Sequence, residues 1–433
     1  MFLNKLFYHF NKISPIIIQT PDVIAIGNMA EEIYFGLIRA RREGKKVFFL
    51  FPYEFFSVFK FSKLGLGINS ELKKIESEYR FLSYDNLLSK TACWFLTVVY
   101  ILFILCNAIS RRVLKKKLPA GYLRPVIGRN ELWNRGLSKL CSLEEIASWN
   151  WEDEFATHLP VDLTAKSRKR AKKIRMEMGL QLEDWFVCVH VREGGYYPIE
   201  KEGFAKKARN ASPHNYLKAI KLITERGGWV IRMGDASMTP LPQMEKVIDY
   251  PFTKYKSCLM DIYFIKECRF YIGVSSGVFD VANLFQKPIL LTNSAATIPS
   301  PPYRKGDRSI FKHVKMKRLK RFLSIQERIQ LFSERKIEHD EYGLSENTPD
   351  EIKDLVEEYL DDPTAKDSTD LQRKWAIESK RVLLNKHKYL SYNTELGPIT
   401  MQRATAIDHV AAGIVGKKFI EQNYYYSSMN SPM

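Results

Sequence analysis

The sequence predicts an α/β protein in which two Rossmann-like domains face a cleft. Three observations carry that prediction. Residues 22–50 read as a strand, an amphipathic helix and a second strand. From 185 to 294, short apolar runs alternate with helical patterns, as parallel strands covered on both faces by helices require. Between these regions, 92–109 is an uncharged apolar run closed by basic residues, a helical insertion in the first domain. A chain of 433 residues accommodates two domains at about 100–200 residues each. The expected division is 1–180, 181–390 and a C-terminal tail helix within 391–433.

In chain order, MFLNKLFYHFNK carries no signal-peptide cleavage site. It reads as a short amphipathic helix, with Phe2, Leu3, Leu6, Phe7 and Phe10 on one side, suited to docking or to a membrane surface. DVIAIG (22–27) reads as a strand ending at Gly27. The next residues place Ala30, Ile33, Leu37 and Ala40 at helical spacing. Gly36 inside that helix lowers its propensity but permits close packing on a neighbour. Gly44 ends the helix and KKVFFLF begins the next strand. GNMAEE lacks the second and third glycines of a dinucleotide-binding turn.

The run 92–109, ACWFLTVVYILFILCNAI, precedes Arg111, Arg112, Lys115, Lys116 and Lys117. At about 1.5 Å per residue it is marginal for a bilayer span. A buried core helix, a helix lying in one leaflet and a span all fit its composition. The basic cluster would meet lipid phosphates in the second case. Residues 166–175 hold seven Lys or Arg. They read as a helix with a solvated basic face closed by Gly179, since no aromatics are interleaved for base stacking. Strands follow at 185–191, 229–234, 246–250, 269–274 and 289–294, with helices at 214–228, 258–268 and 275–288. PDEIKDLVEEYL (349–360) opens with Pro and acids, as a helix N-terminus does.

The hydrophobic fraction of 45% and charged fraction of 27% exclude a largely disordered chain, a collagen-like fibre and a polytopic membrane protein. The net charge of +18 points to an anionic partner. Among nucleic acid, membrane and phosphorylated substrate, it does not choose. The six cysteines form no CxxC pair and read as buried thiols of a cytosolic protein.

Three strand ends carry polar groups, and ligands of open α/β sheets bind beyond the carboxyl ends of strands. His190 and Arg192 close the 185–191 strand, and the loop from Glu193 through Tyr196 follows. Arg offers a fork for phosphate. Ser275, Ser276 and Gly277 begin a helix, whose free N–H groups make a phosphate cradle; plain N-capping by Ser276 is the simpler alternative. Arg232 and Asp235 end a third strand. Convergence of the three on one rim would make a nucleotide-diphosphate site. There is no DxD, Walker A or HExxH pattern, and no metal or cofactor is expected. EDE at 152–154 reads as surface.

The stretch HVREGGYY … RNASPHNYLKAIKLITERGGWVIRMGD … VIDYP … MDIYFIKECRFYIGVSSGVFD resembles a family of bacterial glycosyltransferases associated with surface-polysaccharide genes. It is more distantly similar to the fucosyltransferases that carry an HxR motif. FLSIQER, ENTPDEIKDLVEEYL and GKKFIEQNYYY resemble the family too. The match is good over 185–425 and loose before it. It implies the two-domain GT-B architecture and metal-independent transfer from a nucleotide-sugar donor to a glycan or lipid-linked acceptor. By motif, Arg192 would hold the donor diphosphate with His190 beside it. Arg209 and Asn210 fall on the family's RN pair, Arg232 and Asp235 on its RMGD, and Ser275, Ser276 and Gly277 on its phosphate loop. Where the family suggests a His in the first β-α turn, this chain has Asn28, which leaves Glu31 or Glu32 as the candidate base.

This reading places the protein in the cytoplasm, peripheral on the inner face of the cell membrane, with no nucleic-acid partner. Two alternatives stand beside it: a non-catalytic, membrane-associated nucleotide-binding scaffold, and another GT-B enzyme such as a nucleotide-sugar epimerase.

Overall fold

The computed structural model describes residues 13–19, 21, 25–51, 69–84, 86–113, 149–194, 208–295, 302–334, 340–364, 368–392 and 411–430. The amphipathic N-terminus, the basic residues 115–117 and Tyr196 lie outside this set.

The chain opens with strand β1 (Ile16–Gln19), helix α1 (Ile26–Arg42) and strand β2 (Lys46–Phe49). β1 and β2 pair in parallel, Ile17 opposite Val47. Of the expected strand at 22–27, residues 22–24 lie outside the described residues, and 25–27 are not strand. Ala25 is extended at the helix N-cap, and Ile26 and Gly27 already belong to α1. The preceding IIIQ segment, β-branched and apolar, forms a strand that the sequence reading did not expect. The packing expected of Gly36 is present: a methyl group there would lie 2.1 Å from Gln19 Oε1 and 3.0 Å from Phe49. Gln19 Nε2 donates to the Glu32 carbonyl at 2.8 Å, fixing the helix on its sheet.

Helix α2 (Leu87–Val113) begins five residues before the apolar run. Ser89 and Cys93 are buried, whereas Trp94, Phe95, Leu102 and Ile109 are exposed. That exposure overturns the buried-core alternative. Among the described residues, no helix is long and apolar enough to cross a membrane.

Helix α3 (Trp151–Ala156) and helix α4 (Ala165–Glu177) follow. The acidic 152–154 stretch is not all surface: Glu154 bridges Arg41 at 2.8 Å and Arg42 at 3.1 Å, tying α3 to the end of α1. In α4, Thr164 accepts from the Ser167 amide as N-cap, and Gly179 follows with φ +86°. Its basic face is solvated except at Arg175. That side chain is buried, donates to the carbonyls of Gln181, Leu182 and Asp184, and lies over the Phe186 ring.

The main sheet has seven parallel strands: β3 (Phe186–His190), β4 (Trp229–Arg232), β5 (Val247–Asp249), β6 (Tyr271–Gly273), β7 (Ile289–Ser294), β8 (Arg308–Phe311) and β12 (Ile414–Val415). Their order is β12-β8-β7-β6-β3-β4-β5. Order reverses beside β3, the switch point at which such sheets bind ligands. Every residue of β3 is buried, as a strand covered on both faces requires. The intervening helices are α5 (Leu217–Glu225), α6 (Cys258–Glu267) and α7 (Gly277–Leu284). A second, antiparallel sheet holds β9 (His313–Met316), β10 (Arg321–Phe322) and β11 (Tyr342–Ser345). Helix α8 (Ile325–Glu334) lies between β10 and β11. Helix α9 (Pro349–Asp361) starts with a capping box between Thr348 and Glu351. Helix α10 (Asp370–Tyr392) and the expected tail helix, α11 (Lys417–Asn423), complete the chain. The tail also returns to the sheet through β12, which pairs with β8.

The first β-α-β unit packs directly on this sheet. A continuous buried cluster runs from Ile17, Ile33 and Phe35 to Phe186, Phe264 and Ile289. Trp151 meets Phe35 edge-on at 5.9 Å, and Phe155 stacks on Tyr303 at 4.7 Å. Where the expected cleft would begin, α1 and α7 touch. A methyl group on Gly27 would lie 2.5 Å from both Gly277 Cα and Asp280 Oδ2.

Candidate active site

His190 is the last residue of β3, and β6 beside it ends in Gly273. The two backbones approach so closely that a methyl group at 273 would fall 2.1 Å from the His190 carbonyl. Val274 N donates to that carbonyl at 3.2 Å. The turn that follows carries Ser275 and Ser276 back over the strand end and into α7.

Ser276 occupies the N-cap of α7 with extended backbone, yet makes no side-chain capping bond. Its hydroxyl sits 3.0 Å from His190 Nδ1. Plain capping is therefore not its role, and the first amides of α7 are not closed off by it. The imidazole is 7% exposed. Burial pulls its pKa from 6.5 to about 3, helped by the Arg232 guanidinium, while Asp235 opposes the shift. His190 is neutral at physiological pH.

Arg192 lies two residues on, half-buried, and donates from Nη1 to Asn210 Oδ1 at 2.9 Å. Ala211 N donates to the Arg192 carbonyl at 2.8 Å, so the RN segment is bound to the HxR strand end. Lys312, just past β8, completes this corner by donating to the Asn210 carbonyl at 2.6 Å. Its burial lowers the ammonium's pKa, with Glu346 acting in the opposite sense. Glu346 in turn accepts from Ser212 N at 2.8 Å and Asn215 Nδ2 at 3.0 Å. Sequence reasoning missed Lys312 and Glu346. Their signal was weak: one Lys after an unrecognised strand and one Glu before a capping box. Arg209 stands beside this corner, half-buried.

Three residues expected to bind substrate have other partners. Arg232 is 1% exposed. It donates to Asp249 at 2.8 Å, to Glu193 at 3.0 Å and to the Thr239 carbonyl at 2.7 Å. Glu193 also accepts from Thr239 N at 3.1 Å. Arg232 and Glu193 thus pin the 235–241 loop to the strand ends, because a buried guanidinium needs carboxylates and carbonyls around it. Asp235 accepts from Ser237 N at 2.8 Å and shapes the same loop.

The base candidates separate. Glu32 is fully buried within α1, out of reach of an arriving acceptor. Glu31 is half-buried and stands one turn after Gly27, on the side of α1 that meets α7. Asp280, unsuspected from sequence, brings its carboxylate to the first turn of α1 at Gly27. Two positive helix ends therefore lie side by side with one carboxylate at their junction. Asn28 lies in that first turn of α1. Among the described residues, no group of three or more His, Cys, Asp or Glu is placed to hold a metal ion.

No protein-family model and no curated protein matches the chain. Among solved structures, the chain is similar to the glycosyl transferase family 9 protein from Veillonella parvula DSM 2008. Identity is 11% over 63% of this chain and 79% of that one, with a TM-score of 0.34. It is also similar to the glycotransferase of kitacinnamycin, at 9% identity over 91% of this chain and 95% of that one, with a TM-score of 0.26. Overlaps of this size carry no functional argument, and the site's own geometry has to supply it.

Proposed function

We propose that the protein is a glycosyltransferase of GT-B type that moves a sugar from a nucleotide-sugar donor to a glycan or lipid-linked glycan acceptor in surface-polysaccharide synthesis. The observation that carries this reading is the meeting of His190, Ser276 and the uncapped start of α7 at the switch point of the sheet, with Arg192 two residues along. Together they offer one fixed cation, one neutral imidazole and a helix N-terminus to a diphosphate. Arg209 and Asn210 lie on the Arg192 side of the site.

Transfer breaks the bond between the anomeric carbon and the diphosphate oxygen and forms one to the acceptor oxygen. Negative charge grows on the leaving diphosphate, and Arg192 with the α7 amides stabilises it. His190 accepts the Ser276 hydroxyl at Nδ1 and presents Nε2–H to a phosphate oxygen. The acceptor's proton passes to a general base, for which Glu31 is the better placed of the two glutamates.

A panel of nucleotide-sugars with a lipid-linked acceptor, read by mass spectrometry, tests this. Liberated nucleoside diphosphate with a glycosylated acceptor supports it. Binding without turnover would favour the scaffold alternative, and interconversion of the donor's sugar the epimerase.

A further inference from the structure

The exposed face of α2 is unaccounted for by the donor site. Leu88, Trp94, Phe95, Leu102, Ile109 and Val113 are each 56–71% exposed. Four of them, at 88, 95, 102 and 109, recur every seven residues and so stay on one side of the helix. Val113 falls within this row and Trp94 lies to one side of it, giving a stripe about 120° wide at 100° per residue. Ser89 and Cys93, four residues apart, are buried on the other side, and Cys93 Sγ accepts from Phe51 N at 3.0 Å. The helix is thus anchored by one side and presents an apolar stripe over a length of about 40 Å. That area exceeds the scattered surface apolar residues of ordinary soluble proteins.

The charges around it decide what covers it. Arg112 is exposed at the end of the stripe. From 86 to 113 the chain holds Lys90, Arg111 and Arg112 and no Asp or Glu. A second copy docked here would set bases against bases with no carboxylate to answer them. An anionic lipid surface takes the apolar stripe into its acyl boundary and pairs the bases with headgroup phosphates. We propose that α2 lies along an anionic lipid surface and holds the protein there peripherally. This inference does not rest on the glycosyl-transfer reading.

The test is flotation of the full-length protein with vesicles of phosphatidylcholine, with and without phosphatidylglycerol, at low and high salt. Wild type should float with the anionic vesicles, and roughly tenfold less with neutral vesicles or at high salt. Phe95→Ser with Leu102→Ser should abolish flotation while the melting temperature and light-scattering mass stay unchanged, because both side chains are exposed. Arg112→Gln should lower only the anionic preference. The proposal is overturned if wild type fails to float, or if the double variant floats as well as wild type. A wild-type dimer that the double variant converts to monomer would overturn it in favour of self-association.

Discussion

His190 and Ser276 stand 86 positions apart in the chain, yet the imidazole Nδ1 and the serine hydroxyl are 3.0 Å apart. That contact joins the end of β3 to the start of α7 and orients the imidazole. Ser276→Ala should cost about 1 kcal/mol of stability for the lost hydrogen bond. It should also weaken nucleoside-diphosphate binding several-fold, because the ring is no longer held. Denaturant unfolding and calorimetric titration read the two effects separately. A variant that loses stability but binds as wild type does would remove Ser276 from the site.

Arg232 supports the site without lining it. Replacing it by Met leaves Glu193 and Asp249 facing each other without their guanidinium. The expected loss is about 3–5 kcal/mol, the usual result of breaking a buried pair from one side. Urea unfolding checks this. A variant near wild-type stability that has lost only ligand binding would restore Arg232 to the list of binding residues.

Gly27→Ala separates a packed contact from an open cleft. In an unhindered helix, Ala in place of Gly raises stability by up to about 1 kcal/mol. Here the added methyl would meet Gly277 Cα at 2.5 Å, and overpacking costs about 1–3 kcal/mol. A lower midpoint in denaturant is expected. A raised midpoint would mean that α1 and α7 do not touch.

The buried imidazole also makes stability depend on pH. Its folded pKa, about 3, lies below the unfolded value of 6.5, chiefly through burial and then Arg232. The unfolded chain therefore binds the extra proton between those values. This contribution is fully present above pH 6.5 and is lost as pH falls toward 3, at roughly 1 kcal/mol per pH unit. Unfolding at pH 7 and pH 5 should differ more for wild type than for His190→Gln. Equal differences would show that His190 is not the group responsible.

What could be read in the sequence was what local pattern encodes. The strand of β3, the helices α5 and α6, and the capped start of α9 follow from apolar periodicity and end signals. The HxR and SSG turns were recognisable because strand ends on one rim of a parallel sheet converge. What was hidden depended on tertiary contact. Arg232 looked like a ligand group at a strand end, but its partners, Asp249 and Glu193, come from other strand ends. Glu31 and Glu32 are neighbours in sequence, and only the rotation of α1 buries one of them. β1 was missed because IIIQ is only four residues long, and what marks it as a strand is its pairing with β2. β12 is two residues long, too short for any period to show.

The central claim is that a nucleoside diphosphate binds at the start of α7 beside Arg192. Calorimetric titration of the common nucleoside diphosphates into wild type and Arg192→Ala tests it most directly. One of them should bind wild type saturably. The variant should bind it more weakly by about 2–3 kcal/mol, in the range of a charge-assisted hydrogen bond, with an unchanged melting temperature. Equal affinity for the two proteins, or no binding of any nucleoside diphosphate to wild type, would contradict the account.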